Sequence, residues 1–167
     1  MERVAIVGSG GAGKTTLAAE MGRRTLLPVV HLDRLHWKPG WVETSTEEWA
    51  STVAEQAARP RWIIDGNYAG TYELRFERAD TIIVVSLPRV QCLLRALQRV
   101  TKAHGRAIQA EGCPERYDLH YLRWIWQYPS KSRPALDEAL ARAARHAIVI
   151  ELRSKADVAA FLEGLPR

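Results

Sequence analysis

Short apolar runs recur along the chain, separated by stretches with helical spacing. Val4-Ala5-Ile6-Val7, Pro28-Val29-Val30-His31-Leu32, Arg61-Trp62-Ile63-Ile64, Thr81–Ser86 and Ala147–Glu151 read as strands. Their apolar positions are consecutive rather than alternate, as in strands covered on both faces. Helices are predicted at about Thr15–Arg24, Thr46–Ala58, Pro88–Ala103 and Asp118–Tyr128, then from Ser132 or Pro134 to Arg145, and over Lys155–Leu162. Ser45 or Thr46 would cap the second, with Glu47 and Glu48 in its first turn, and Asp118 the fourth. Pro88 suits a first turn. Residues 34–45, around Pro39-Gly40, read as a loop, and so do residues 104–117, with Gly105, Gly112 and Pro114. There is no internal repeat. Strands alternating with helices predict one α/β domain over 1–167, three layers (α/β/α) around a five-stranded parallel sheet. Such sheets bind ligands beyond the carboxyl ends of their strands. Asp33, Asp65, Arg89 and Arg153 all fall there.

The segment after the first strand changes the picture from fold to chemistry. Gly8–Thr15, GSGGAGKT, fits G-x-x-x-x-G-K-[ST], with a strand before it and good helix formers, Thr16 onward, after it. Such a loop cradles phosphate with the amides of Gly8, Ser9, Gly10, Gly11, Ala12 and Gly13, at the positive end of the following helix. Lys14 would reach the β- and γ-phosphates, and the Thr15 hydroxyl would bind Mg²⁺. Thr16 and Arg153 complete the expected nucleotide-binding set.

A magnesium partner is expected, and Asp65, ending the third strand, is placed for it directly or through water; the alternative is a plain Asp-Gly turn. Asp33 would orient Mg²⁺-bound water or accept a proton or hydrogen bond from the phosphoryl acceptor, the alternative being a helix or turn cap. The helix over 88–103 carries an apolar stripe, Leu93, Leu94, Leu97 and Val100. Its basic stripe is Arg95, Arg99, Lys102 and Arg106. Like charges four apart repel, and no acid lies between Asp80 and Glu111 to relieve them, so an anionic ligand would fit. Arg95, Arg99, Arg106 and Arg133 are the candidates for transition-state charge, Arg106 on a loop able to close as a lid. An exposed basic face and an ordinary surface loop are the plain alternatives. Trp37 and Trp41 would stack on an acceptor or staple their loop. Trp62, Trp124 and Trp126 suit packing. The five histidines have no metal-ligand spacing and read as structural or surface groups.

The 167 residues carry a formal charge of +5, with 19 Arg against 5 Lys and a pI near 9.5. Arginine suits phosphate, and the basic balance admits DNA as a partner, but no DNA-reading motif stands in the chain. No apolar run approaches the ~18 residues of a membrane span. The chain enters its first strand almost at once, which speaks against a signal peptide. Cys92 and Cys113 need no disulfide at this size, so a reducing cytoplasm is expected. No heptad supports a dimer.

The phosphate loop, Asp33, Asp65-Gly66 and an arginine-bearing loop resemble the nucleoside-monophosphate-kinase branch of P-loop proteins, to which adenylate and shikimate kinases belong. The pattern is closer still to the adenylate-kinase-like family known as DNA topology modulation proteins (FlaR-related). That likeness rests on His31-Leu32-Asp33 with Trp37-Lys38-Pro39-Gly40-Trp41, on Trp62–Tyr68 (WIIDGNY), on Glu111–Glu115 (EGCPE) and on Trp124-Ile125-Trp126. The resemblance implies sheet order 2-3-1-4-5, ATP as donor, an acceptor-binding segment at about 34–59 and a lid at about 104–128. It implies a kinase, with a nucleotide-dependent DNA-regulatory protein as the alternative. A GTPase switch does not fit, since there is no Asn-Lys-x-Asp motif. Adenylate kinases follow Asp-Gly with an aromatic residue, Pro and an Arg that grips the acceptor phosphate. Here Asn67-Tyr68 stands instead, leaving Arg34, Arg75 or Arg89 as substitutes.

Overall fold

Alternate residues of the central strands serve two separate cores. In β1 (Arg3–Gly8), Ala5 and Val7 point to one face of the sheet, and Val4 and Ile6 to the other. The same division runs through β5 (Trp62–Asp65), with Trp62 and Ile64 opposed to Ile63. It recurs in β6 (Thr81–Val85), with Ile82 and Val84 opposed to Ile83 and Val85. Apolar positions are therefore consecutive because both faces are covered. The computed structural model describes residues 1–165.

Together with β2 (Val29–His31) and β7 (Ile148–Leu152), these strands form a parallel sheet in the order β2-β5-β1-β6-β7. Numbered among themselves they run 2-3-1-4-5. One face carries α3 (Thr46–Ala58), α4 (Tyr72–Phe76) and α7 (Arg133–Ala143). The other carries α1 (Lys14–Thr25), α5 (Arg89–Ala103), α6 (Leu119–Lys131) and α8 (Lys155–Glu163). The three-layer α/β/α expectation holds. No helix among the described residues is long and apolar enough to cross a membrane.

The helix ends follow the expected chemistry. Ser45 caps α3 by accepting from the Glu48 amide at 3.3 Å, and Asp118 caps α6 by accepting from His120 and Tyr121. Ser154 and Asp157 form a reciprocal capping box on α8.

Two expectations need correction. Residues 34–45 are not a plain loop: α2 (Leu32–His36) leads into a hairpin of β3 (Trp37–Lys38) and β4 (Val42–Glu43). Two-residue strands around Pro39-Gly40 give no alternation to read. Trp41 there takes φ +63°, unusual for a bulky residue. On α5 the buried stripe is Cys92, Ala96, Val100 and Ala103, while Leu94 is exposed. Small residues are needed because α5 lies against the phosphate loop. A Cβ on Gly11, at φ +71°, would run into the Cys92 carbonyl.

Candidate active site

The loop after β1 ends in Gly13, whose φ of +97° starts α1 without a side-chain cap. The first amides of that helix are thereby left for an anion. Lys14 Nζ folds over the loop and donates to the Ser9 carbonyl at 2.8 Å. Burial holds the Lys14 ammonium below the usual lysine range, and Asp33 and Asp65 partly offset this. Arg95 Nη1 donates to the Ala12 carbonyl at 3.1 Å and braces the loop from α5. Tyr121 of α6 closes in over Gly10, where any Cβ would meet its hydroxyl.

These groups wall a cavity of about 720 Å³ that runs from Gly10–Thr16 to Arg95, Arg99, His31 and Asp33. A second cavity, about 810 Å³, lies beside it under the hairpin. Trp37, Trp41, Tyr68, Tyr121, Trp124 and His36 give it aromatic walls. Gly10, Lys14, Asp33, Arg99, Gln109 and Tyr121 border both spaces. The Asp33 carboxylate accepts a 2.7 Å hydrogen bond from Tyr68 Oη. Burial, then Asp33, drives the Tyr68 phenol far above its ordinary range, so it remains a donor.

Residues 104–117 fold down onto this region. Gly40 N donates to the Gly112 carbonyl at 2.8 Å, and Trp41 Nε1 to that of Pro114 at 2.9 Å. Cys113 Sγ donates to the Lys38 carbonyl at 3.2 Å. Glu115, 2 % exposed, accepts from Arg99 at 3.2 Å and Gln109 at 2.6 Å. The acid that α5 lacks in its own sequence is thus supplied from this segment.

Placement of the other predicted site residues divides them. Thr15 and Thr16 border the first cavity. Asp65 borders neither: it is 3 % exposed, and its Oδ1 lies 2.8 Å from Nδ1 of His31, which does border the first cavity. Direct metal contact by Asp65 does not fit this arrangement. Arg106 is exposed and donates to the Lys102 carbonyl. Arg133 pairs with Glu151 at 2.9 Å and Asp137 at 2.6 Å, and Arg153 pairs with Glu151 at 2.6 Å. These three arginines line neither cavity; the acids of α7 and β7 claim two of them. Arg75, proposed as a phosphate grip, is wholly buried and donates to the carbonyls of Gly66, Tyr68 and Thr71. Burial pushes it down to about 10. Arg34 borders only the first cavity, and Arg89 lies over the Trp126 ring at 4.0 Å.

His31, Asn67, Tyr68, Tyr121 and Glu115 also build the site, and of these Tyr121 alone has no part in the family likeness. Asn67 Oδ1 accepts from Gly8 N and from the hydroxyls of Tyr72 and Tyr128, tying the turn after β5 to the phosphate loop. The WIIDGNY stretch offered a signal, since Asn and Tyr replace a Pro-Arg pattern there.

No family model matches the chain, and no curated protein does. The fold is shared with solved structures. A shikimate kinase from Bacteroides thetaiotaomicron is 18% identical with a TM-score of 0.55, over 97% of this chain and 94% of that one. A shikimate kinase from Acinetobacter baumannii, in complex with shikimate, is 13% identical with a TM-score of 0.58, over 98% and 89%. At these identities the likeness shows a P-loop kinase-type fold. Neither is a DNA-topology protein, and that resemblance rests on the motifs alone.

Proposed function

We propose that the chain is an ATP-dependent phosphotransferase of the P-loop kinase type, with a small hydroxyl compound as acceptor. The carrying observation is that the two cavities meet at Lys14, Asp33 and Arg99. One cavity has the amides and ammonium for a triphosphate; the other is a separate chamber opening onto the same three side chains. A kinase needs that geometry, because in-line transfer requires donor and acceptor to approach from opposite sides.

In this reading the acceptor hydroxyl oxygen bonds to the γ-phosphorus, and the bond from that phosphorus to the β,γ-bridging oxygen breaks. The electron pair leaves with ADP. The acceptor proton passes to Asp33, which Tyr68 holds in place. Lys14 and Arg99 face the charge developing on the transferred group, and Arg95 keeps the loop in shape. The residues fit Mg²⁺ in part: the Thr15 hydroxyl opens on the first cavity, and Mg²⁺ commonly takes one or two protein groups with phosphates and waters. It would neutralise phosphate charge; Asp65 would act on it only at one remove, through His31. Residues 34–59 would hold the acceptor, and the segment at 104–128 would cover the site.

A coupled ADP-release assay across small acceptors tests the reading. Lys14→Ala should lower acceptor-dependent turnover by about a hundredfold or more while leaving the circular dichroism spectrum unchanged. Normal turnover in that variant, or ATP hydrolysis indifferent to every acceptor, would refute it.

A further inference from the structure

The second cavity is built against anions. Four acids border it, Asp33, Glu43, Glu115 and Asp118, against four cations, Lys14, Arg99, Arg116 and Lys131. Two of each pair with one another, Arg99 with Glu115 and Arg116 with Asp118, which leaves Asp33 and Glu43 against Lys14 and Lys131. Lys14 and Arg99 also border the phosphate-loop cavity, where a triphosphate would draw them, and Arg99 is already bonded to buried Glu115. Arg116 lies 3.8 Å from Asp118. Lys131 is left, exposed on the surface, and His120 also borders the space. The imidazole of His36 adds no charge, because burial lowers it below the usual histidine range, more than Glu43 and Asp33 raise it. Of the arginines described above, Arg75 and Arg106 are bonded to backbone carbonyls, Arg133 and Arg153 to acids, Arg89 lies over Trp126, and Arg34 and Arg95 border only the other cavity.

The rest of the wall is aromatic. His36 packs within 4.9 Å of Trp37 and 4.6 Å of Tyr68, and Trp37 within 5.5 Å of Trp41, ring centre to ring centre. Trp124 stacks on Tyr121, 5.9 Å away, with 17° between the ring planes. Rings arranged around a space offer π faces and edges to a flat guest. With Arg99 paired to Glu115 and Arg116 to Asp118, a phosphate or carboxylate brought there would instead meet Asp33 and Glu43 without a guanidinium that lacks an acid partner.

We infer that the acceptor is an alcohol bearing a flat unsaturated ring and no anionic group, seated between the hairpin indoles and Tyr121 with its hydroxyl on Asp33. This rests on the kinase reading and narrows it. The ring supplies binding, the hydroxyl set on Asp33 supplies the nucleophile, and selectivity comes from excluding compounds that already carry phosphate or carboxylate. The transfer is that given above: an O–P bond forms to the hydroxyl oxygen, the bond to the β,γ-bridging oxygen breaks, and Asp33 takes the proton.

The test is calorimetric titration of matched pairs in the presence of a non-hydrolysable ATP analogue, followed by the coupled assay with ATP. Suitable pairs are adenosine with its 5′-monophosphate, cytidine with its 5′-monophosphate, and pyridoxine with its 5′-phosphate; shikimate serves as an anionic alcohol without an aromatic ring. At least one neutral member should bind about tenfold or more tighter than its anionic partner and be the one that releases ADP. Trp37→Ala should weaken that binding by a similar factor. Glu43→Lys, at an exposed strand position, should narrow the gap within the pair. Equal or tighter binding of the anionic members would overturn the inference. So would binding of the ATP analogue with no neutral ring alcohol bound. Failure of the analogue itself to bind would bring down the kinase reading first, and the inference with it.

Discussion

Tyr68 and Asp33 stand 35 residues apart in the chain and are joined by a 2.7 Å hydrogen bond at the seam between the two cavities. Tyr68 follows β5, and Asp33 lies in α2 after β2; adjacent parallel strands deliver both to the same edge. The phenol is the donor, so it holds one carboxylate oxygen and leaves the other for a ligand. Tyr68→Phe should lower kcat/KM by about tenfold, the scale of a hydrogen bond to a charged group. Asp33→Asn should cost more, since it removes the proton acceptor as well. Steady-state ADP release in both variants checks the order; equal activity in Tyr68→Phe and wild type would remove the positioning role.

Arg75 should prove structural. It is a buried cation satisfied by three backbone carbonyls, and truncation would leave those acceptors unpaired. Arg75→Ala is expected to cost about 3 kcal/mol or more. Urea denaturation measures this. If the variant kept full stability and lost only acceptor binding, the phosphate-gripping role would be restored.

The Glu151 cluster makes the fold acid-sensitive. Partial burial works against it, but hydrogen bonds from Ser86, Arg153 and Arg133 hold this carboxyl down at about 2 against an ordinary 4.5. A depressed carboxylate stabilises fully above its unfolded value and loses that contribution as pH falls toward its folded one. Wild type should therefore exceed Glu151→Gln in urea midpoint at neutral pH. The difference should shrink between about pH 4.5 and about pH 2. A gap that stays constant across this window would mean the ion pairs contribute nothing. Arg133→Ala should behave like Glu151→Gln in stability and leave phosphoryl transfer nearly intact.

Gly11→Ala should abolish nucleotide binding more than it harms the fold. Its φ of +71° and the approach of the Cys92 carbonyl leave no room for a methyl group. The ATP-induced rise in melting temperature should vanish in this variant while the unliganded protein still melts cooperatively. An unchanged rise would show that the loop can relax.

Much of this was readable because it is local. The phosphate loop needs one strand, one turn and one helix, all contiguous, and five consecutive apolar runs fixed the layers. The residues that complete the site are bound across the fold. Nothing near His31 announces Asp65, 34 positions away, and nothing near Arg99 announces Glu115. An acid just after a strand is the usual sign of a metal ligand, whereas Asp65 spends one carboxylate oxygen on the histidine of the neighbouring strand. Arg153 falls at a strand end and Arg133 suits phosphate by its charge, but Glu151, two residues before Arg153 on β7, takes both. The β3–β4 hairpin escaped notice because its strands are too short to alternate.

The contacts of Gly40, Trp41 and Lys38 with residues 112–114 have a consequence for movement. Neither arm can move away alone without breaking these hydrogen bonds, so any opening is expected to carry both together as one door rather than as independent flaps. In the kinase reading, entry of the acceptor and departure of the spent nucleotide would then depend on the same opening. A substitution at the clasp, such as Gly112→Ala against Pro39, should change the off-rates of both ligands together.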